Sequence, residues 1–174
     1  MTSIQVIAEA GVNHDGCLEK AISLVEIAAL AGADYVKFQL FDLNEQISVG
    51  APTAEYQNRS GTTHADMLKL AESYQLPWHS HLQIFEQCRT SGIKYCASVF
   101  CRESLEFYVD NFSPEFIKIA SGELTNKILL EAAGRAGLPI ILSTGMATPG
   151  ELDDALHCLL RKSTNTNHQE KNTT

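Results

Sequence analysis

The chain has 174 residues, 44% of them hydrophobic and 20% charged, which is typical of a globular protein with a core of its own. Its formal net charge of −8 argues against nucleic acid or an anionic membrane as the main partner, but local lysines can still bind a small anion. The sequence shows no membrane-length apolar run, no signal peptide and no CxxC pair, so we expect a cytoplasmic protein with reduced thiols.

Short β-branched runs alternate with helical patterns from the start of the chain. The first predicted strand covers Ile4–Ala8, and the helix that follows it stops at Gly32. The second predicted strand covers Tyr35–Gln39. The stretch from Leu40 to Thr63 is too long for a simple connection, which predicts an active-site loop.

The alternation continues to the end of the apolar sequence. Helical segments are predicted near His64–Tyr74 and Trp78–Ser91, and a third strand at Lys94–Val99. The later predicted elements are a helix at Glu103–Asn111, a strand at Phe116–Ala120, a helix capped by Thr125 or Asn126 that ends at Gly134, a strand at Pro139–Ser143, and a helix that begins with a capping box at Thr148 and ends near Lys162.

Five strand–helix units in series predict a parallel sheet with right-handed crossovers. Pattern alone fits both an open doubly wound sheet and a (β/α)₈ barrel that stops after about five units. In either architecture the chemistry belongs at the carboxyl ends of the strands. We expect one α/β domain over residues 1–162, and a disordered tail over residues 163–174, which contain no hydrophobic residue.

Two lysines lie inside these otherwise apolar predicted strands. Because an unpaired buried charge is expensive, Lys37 and Lys118 each need an anion. Ser121 and Ser143 add hydroxyl donors at strand ends, close to where helices begin. Two ammonium groups with hydroxyls and helix N-termini predict a phosphate or carboxylate pocket.

Two glutamates stand at the same strand ends. Glu9 and Glu123 are predicted to act as acid–base groups or to bind sugar hydroxyls. A purely structural alternative stays open for one of them, since Glu9 can also pair with Lys37 as a buried ion pair.

Five segments together resemble the N-acetylneuraminate (sialic acid) synthase family, which includes the legionaminic and pseudaminic acid synthases. They occur in the family's order and cover strand ends between about Ile4 and Arg161. The segments are residues 7–16 (IAEAGVNHDG), 32–39 (GADYVKFQ), 54–57 (AEYQ), 116–123 (FIKIASGE) and 141–147 (ILSTGMA).

The resemblance implies an N-terminal TIM barrel that condenses phosphoenolpyruvate with an N-acetylated hexosamine, forming a C–C bond and releasing phosphate. It implies that phosphoenolpyruvate is held by Lys37, Lys118, Ser121 and Ser143, with Gln39 in the same pocket. It also implies that Glu9 faces the reacting carbons and that Glu123 binds the sugar.

The family also implies a homodimer and a divalent metal, Mn²⁺ or Mg²⁺, that polarises the sugar aldehyde. Its metal-binding histidines come from later barrel strands, so we expect the metal ligands to be absent from this chain. Cys101 follows Phe100 where the family often has Asp. Two alternatives therefore stay open: another phosphoenolpyruvate-dependent sugar acid synthase, or a non-catalytic fragment or subunit that needs a partner to complete the barrel.

Overall fold

The computed structural model describes residues 4–43 and 72–161. They form a parallel sheet of five strands: β1 (Ile7–Gly11), β2 (Tyr35–Leu40), β3 (Lys94–Val99), β4 (Ile117–Ile119) and β5 (Ile140–Leu142). The helices are α1 (Leu18–Leu30), α2 (Trp78–Ser91), α3 (Arg102–Phe112), α4 (Lys127–Ala136) and α5 (Pro149–Leu160), with a 3₁₀ turn at Ser121–Glu123.

The strand order distinguishes between the two predicted architectures. The strands lie in the sheet in the same order as in the chain, β1 to β5. A doubly wound sheet reverses direction at a switch point, whereas a barrel does not. Successive helices pack beside one another, α1 on α2, α3 on α4 and α4 on α5. The predicted fold, five consecutive units of a TIM barrel, is therefore confirmed.

The two-residue period of the strands separates a helix-facing side from an inner side of the sheet. On β2, Val36, Phe38 and Leu40 are completely buried in the main core beneath the helices. Lys37 and Gln39 alternate with them and are partly exposed on the other side. Burial of the apolar side against the helices thus fixes the direction in which the polar residues point.

The inner side of the sheet has two layers. Near the amino ends of the strands, Tyr35, Cys96 and Phe116 are buried together, and Ile7 packs against them. We call these four residues the apolar floor. Two residues further along each strand stand Glu9, Lys37, Ser98 and Lys118. The register places Glu9 opposite Lys37 and Ser98 opposite Lys118, and Lys37 Nζ lies 3.2 Å from Ser98 Oγ. The polar layer therefore lies directly above an apolar one.

The first strand begins three residues later than predicted. Ile4 and Val6 are exposed, and pairing with β2 starts only at Ile7 opposite Tyr35. Val6 instead donates its N–H to the carboxylate of Asp34 at 2.7 Å and accepts from the N–H of Asp34 through its carbonyl. The Val6 carbonyl also accepts from the N–H of Tyr35, the first residue of β2, so this end of the chain meets β2 only where that strand begins.

The other predicted elements are close to the observed ones. β3 has the predicted bounds, β2 and α3 are slightly longer, and β4 and β5 are shorter than predicted. The capping box of the last helix is confirmed, with Glu151 N–H donating to Thr148 Oγ1 at 3.3 Å and Thr148 N–H to Glu151 Oε2 at 2.8 Å. The tail at 163–174, the segment at 64–71 and most of the predicted 40–63 loop lie outside the described residues. No helix in the described ranges is long and apolar enough to cross a membrane.

The fourth helix does not end at Gly134 as predicted. Asn126 caps its first turn by accepting from Leu129 N–H at 3.2 Å, as expected, but the helix continues to Ala136 and ends at Gly137, where φ is +70°. Gly134 has another role, because a Cβ there would overlap the carbonyl oxygen of Leu159 in α5. This glycine lets the backbones of α4 and α5 approach closely.

Gly134→Ala should destabilise the chain although alanine favours helix. The gain in helix propensity is about 1 kcal/mol, whereas a steric overlap between two packed backbones costs about 2–3 kcal/mol. Gly150→Ala is the matched control, since it lies in α5 and a Cβ there meets nothing within 4 Å. Urea unfolding should show a net loss for Gly134→Ala and no loss for Gly150→Ala; equal stability of the two variants would contradict the close-packing role.

A buried histidine lies on the helix-facing side of the sheet. His81 in α2 is 1% exposed, and its Nδ1 lies 2.8 Å from the hydroxyl of Tyr95. Burial, and secondarily the neighbouring His14, lower the pKa of His81 to about 3. His81 is therefore neutral in the folded chain at any pH near neutrality.

The folded chain should lose stability as the pH falls from 7 to 5. Below the ordinary histidine pKa of about 6.5, His81 takes up a proton in the unfolded chain but stays neutral in the folded one. This difference lowers the free energy of unfolding by about 2 kcal/mol at pH 5. His81→Gln should flatten this slope, while His79→Gln, an exposed change on the same helix, should not. Urea unfolding at the two pH values tests this, and an unchanged slope in His81→Gln would argue against it.

Candidate anion-binding site

A polar cleft of about 450 Å³ lies at the carboxyl ends of the strands. All five strands or the residues directly after them contribute to it. The predicted site residues that line it are Glu9, Lys37, Gln39, Lys118, Ser121 and Ser143, and Asn13, Ser98 and Phe100 line it as well. The structure thus brings six of the seven predicted residues to one cleft; their functional roles stay predictions.

Lys37 is the more deeply placed cation. Its side chain is 12% exposed, and its ammonium group forms an ion pair with Glu9. The same ammonium donates to Ser98 Oγ at 3.2 Å. Lys37 therefore has a carboxylate and a hydroxyl as partners, which together satisfy a charge that the surrounding apolar strand could not.

Lys118 is held differently. Its ammonium donates to Ser143 Oγ at 2.7 Å and to the carbonyl oxygen of Ile119 at 2.6 Å. Both are neutral oxygens, and in the described ranges no carboxylate forms an ion pair with Lys118. Burial and the charge of Lys37 lower the pKa of Lys118, against a smaller opposing effect of Glu9. Among the described residues, the cleft thus holds one cation with a carboxylate in direct contact and one whose hydrogen bonds go to neutral oxygens.

The backbone of β1 aims Glu9 into the cleft. Pairing with β2 runs in register to Glu9 opposite Lys37 and then shifts, so that Gly11 stands opposite Phe38. Such a bulge inserts one extra residue and re-aims the side chains around it. Gly11 has a φ of +56°, which glycine adopts without strain. A Cβ on Gly11 would stand 3.2 Å from Glu9 Oε1.

The segment after β4 brings Ser121 against the segment after β5. Ser121 opens the 3₁₀ turn, and its hydroxyl would lie 3.5 Å from a Cβ at Gly145. Gly145 is therefore in contact distance of Ser121, and Ser121 and Ser143 line the same cleft.

Glu123 is not among the residues that line the cleft. It ends the 3₁₀ turn and accepts a hydrogen bond from Asn126 Nδ2 at 2.8 Å. Since Asn126 also caps α4, the observed contact of Glu123 is with the start of a helix. Its predicted sugar-binding role stays a prediction.

Ser98, a polar residue near the end of the third predicted strand, also lines the cleft. It is 3% exposed and accepts from Lys37. Its register opposite Gln39 and Lys118 places it on the inner face of the sheet, because Lys118 marks that face on the neighbouring strand.

The described residues offer no metal centre: within residues 4–43 and 72–161, no three His, Cys, Asp or Glu side chains lie close enough to hold an ion. His14 and His81 are both buried and both contact Phe38, which belongs to the core beneath the helices. The chemistry that these residues support is the binding of an anion with a carboxylate close by.

Known proteins show the same combination of fold and sequence. The model of the NeuB family matches residues 24–173. The N,N'-diacetyllegionaminic acid synthase of Campylobacter jejuni is 37% identical over 92% of this chain and 48% of its own length. The N-acetylneuraminate-9-phosphate synthase of Drosophila melanogaster is 35% identical over 84% of this chain and 39% of its own length.

A solved structure agrees with these relatives. The N-acetylneuraminic acid (sialic acid) synthetase of Leptospira borgpetersenii, crystallised with citrate, superposes with a TM-score of 0.77 at 29% identity. The match covers 91% of this chain and 50% of that one. This chain thus spans about half the length of the relatives it matches. With the family match over most of its residues, the chain belongs to the NeuB family.

Proposed function

We propose that this chain carries the phosphoenolpyruvate-binding part of a nonulosonic acid synthase. The reaction joins C3 of phosphoenolpyruvate to the aldehyde carbon of an N-acetylated amino sugar, while water attacks C2 and phosphate leaves. The observation that carries the proposal is the meeting of Lys37 and Lys118 in one cleft.

The cleft suits a ligand with two anionic groups. Phosphoenolpyruvate bears a phosphate and a carboxylate, and ammonium and hydroxyl donors form charge-assisted hydrogen bonds with both. Lys118 Nζ and Ser143 Oγ lie 2.7 Å apart, so the two side chains present such donors together. Ser98 and Lys37 form the second pair, 3.2 Å apart. Glu9, beside Lys37, is the carboxylate placed to accept a proton or a hydroxyl group.

The names of the relatives support an N-acetylated sugar as the second substrate. One is a synthase of N,N'-diacetyllegionaminic acid and another of N-acetylneuraminate 9-phosphate, and both products carry acetylated amino groups. These names differ in the sugar, so the proposal for this chain stops at the class of N-acetylated hexosamines.

The divalent metal implied by the family does not fit the described residues. No suitable group of three ligands occurs among residues 4–43 and 72–161, so no step of the reaction is assigned to a metal held by them. A metal such as Mn²⁺ or Mg²⁺ would need ligands from elsewhere.

A second candidate is a binding subunit that needs a partner to complete the barrel. In the described part of the chain β1 and β5 each pair on one side only, and Ile141 of β5 is 40% exposed on the inner face. Free edges of this kind are surfaces for further strands. A homodimer, as expected for the full-length family, is a separate proposal.

Lys118→Ala should weaken the binding of phosphoenolpyruvate by about 30- to 150-fold, because one charge-assisted contact is worth about 2–3 kcal/mol. Arg135→Ala is the control, since it removes one positive charge from an exposed side chain on the last turn of α4. Isothermal calorimetry with the 174-residue chain measures both. Equal affinities of the two variants would remove Lys118 from the site.

The synthase proposal predicts sugar-dependent release of phosphate. The chain would be incubated with phosphoenolpyruvate and a panel of N-acetylated hexosamines, with and without Mn²⁺, and phosphate and the nine-carbon acid would be measured. The Lys118→Ala variant is the background control. Product formation supports the synthase, binding of phosphoenolpyruvate without product supports the partner-dependent subunit, and no binding contradicts both.

A further inference from the structure

We infer that Glu9 is a built-in competitor for Lys37: its carboxylate forms an ion pair with the Lys37 ammonium, and an anionic substrate must displace it. This inference rests on the proposed function and assigns Glu9 an additional role in it. Glu9 then acts first as a counter-ion and only afterwards as a free carboxylate.

The Glu9–Lys37 pair joins two side chains in different surroundings. Lys37 is 12% exposed, while Glu9 is 54% exposed at the edge strand of the sheet. The carboxylate therefore reaches Lys37 from the open side of the cleft, which is also the side from which a ligand arrives. An anion that contacts Lys37 from this side meets the position that Glu9 already holds.

Lys118 provides the contrast within the same cleft. Ser143 Oγ and the carbonyl of Ile119 hold its ammonium, and neither carries a charge. An arriving anion gains a full ion pair with Lys118 without breaking one. The two lysines are thus not equivalent: Lys118 is ready for an anion, and Lys37 becomes ready when Glu9 leaves.

The chain makes room for Glu9 in this position. The bulge of β1 lets Gly11 turn into the left-handed region, and the missing side chain of Gly11 leaves space beside Glu9 Oε1. Within residues 4–43 and 72–161 the carboxylate of Glu9 is held by the ion pair with Lys37, and the side chain is half exposed, so it can turn towards solvent without breaking the sheet.

Displacement would couple the two functions predicted for Glu9. While it is paired with Lys37, its carboxylate is neutralised and points at the anion position. Once an anion takes Lys37, the carboxylate is freed next to the bound ligand, as an acceptor for the second substrate. The cleft therefore offers that acceptor only after the first substrate has entered.

The experiment measures the affinity of the 174-residue chain for phosphoenolpyruvate, and for inorganic phosphate as a minimal probe, by calorimetry. Glu9→Gln keeps the shape of the side chain and removes its charge, and it should bind both probes more tightly than the wild type by roughly two- to five-fold. Asp110→Asn, an exposed change near the end of α3, is the control for net charge and should bind like the wild type.

Salt separates contact competition from simple repulsion. At about 1 M salt the screening length is about 3 Å, so repulsion over longer distances is suppressed while competition for the same ammonium persists. The higher affinity of Glu9→Gln for phosphoenolpyruvate and phosphate, relative to the wild type, should therefore remain at high salt. Its loss there, or an equal gain in Asp110→Asn, would refute the inference.

The outcomes also separate this inference from the proposed function. If the wild type binds phosphoenolpyruvate and Glu9→Gln binds it equally or more weakly, Glu9 is not a competitor and the proposed substrate stands. If neither chain binds phosphoenolpyruvate or phosphate while both remain folded by circular dichroism, both the inference and the proposed function fail.

Discussion

Two ammonium groups on the inner face of an otherwise apolar sheet organise this molecule. Lys37 and Lys118 each need oxygen partners, and the neighbouring strands supply them as Glu9, Ser98 and Ser143. These partners come from adjacent strands, so β2 must lie between β1 and β3, and β5 must lie beside β4, as they do in the chain-order sheet. The chemistry of the cleft and the topology of the sheet thus depend on each other.

Much of the site could be predicted because a lysine in an apolar strand is a strong signal. The cost of burying its charge indicates a function or a partner, and strand alternation places it on one face. Ser98 carries a weaker signal, its place at a predicted strand end, because a hydroxyl in a strand is inexpensive; its register with Lys118 is what locates it beside the lysines. The contact of Glu123 with Asn126 was likewise not visible from its place in a strand-end motif.

The remaining errors arise where one residue type serves several purposes. Gly134 looked like a helix stop because glycine often ends helices, but here it allows two helix backbones to touch. The first strand runs past its predicted end at Ala8 to Gly11, through a bulge that no apolar periodicity reveals. Val6 has the β-propensity of a strand residue and still lies outside one, since a strand requires a neighbour in register as well as a favourable side chain.

The apolar floor under the lysines has an electrostatic consequence. Ile7, Tyr35, Cys96 and Phe116 keep water away from the cleft on the side opposite its mouth. Charges above a medium of low polarisability influence one another more strongly than charges surrounded by water. Lys37 accordingly acts on Lys118 across the sheet, and burial raises the pKa of the Cys96 thiol to about 12. The apolar floor therefore strengthens the electrostatic interaction between the two lysines. A polar or smaller side chain in the floor would weaken that interaction without changing any group that lines the cleft.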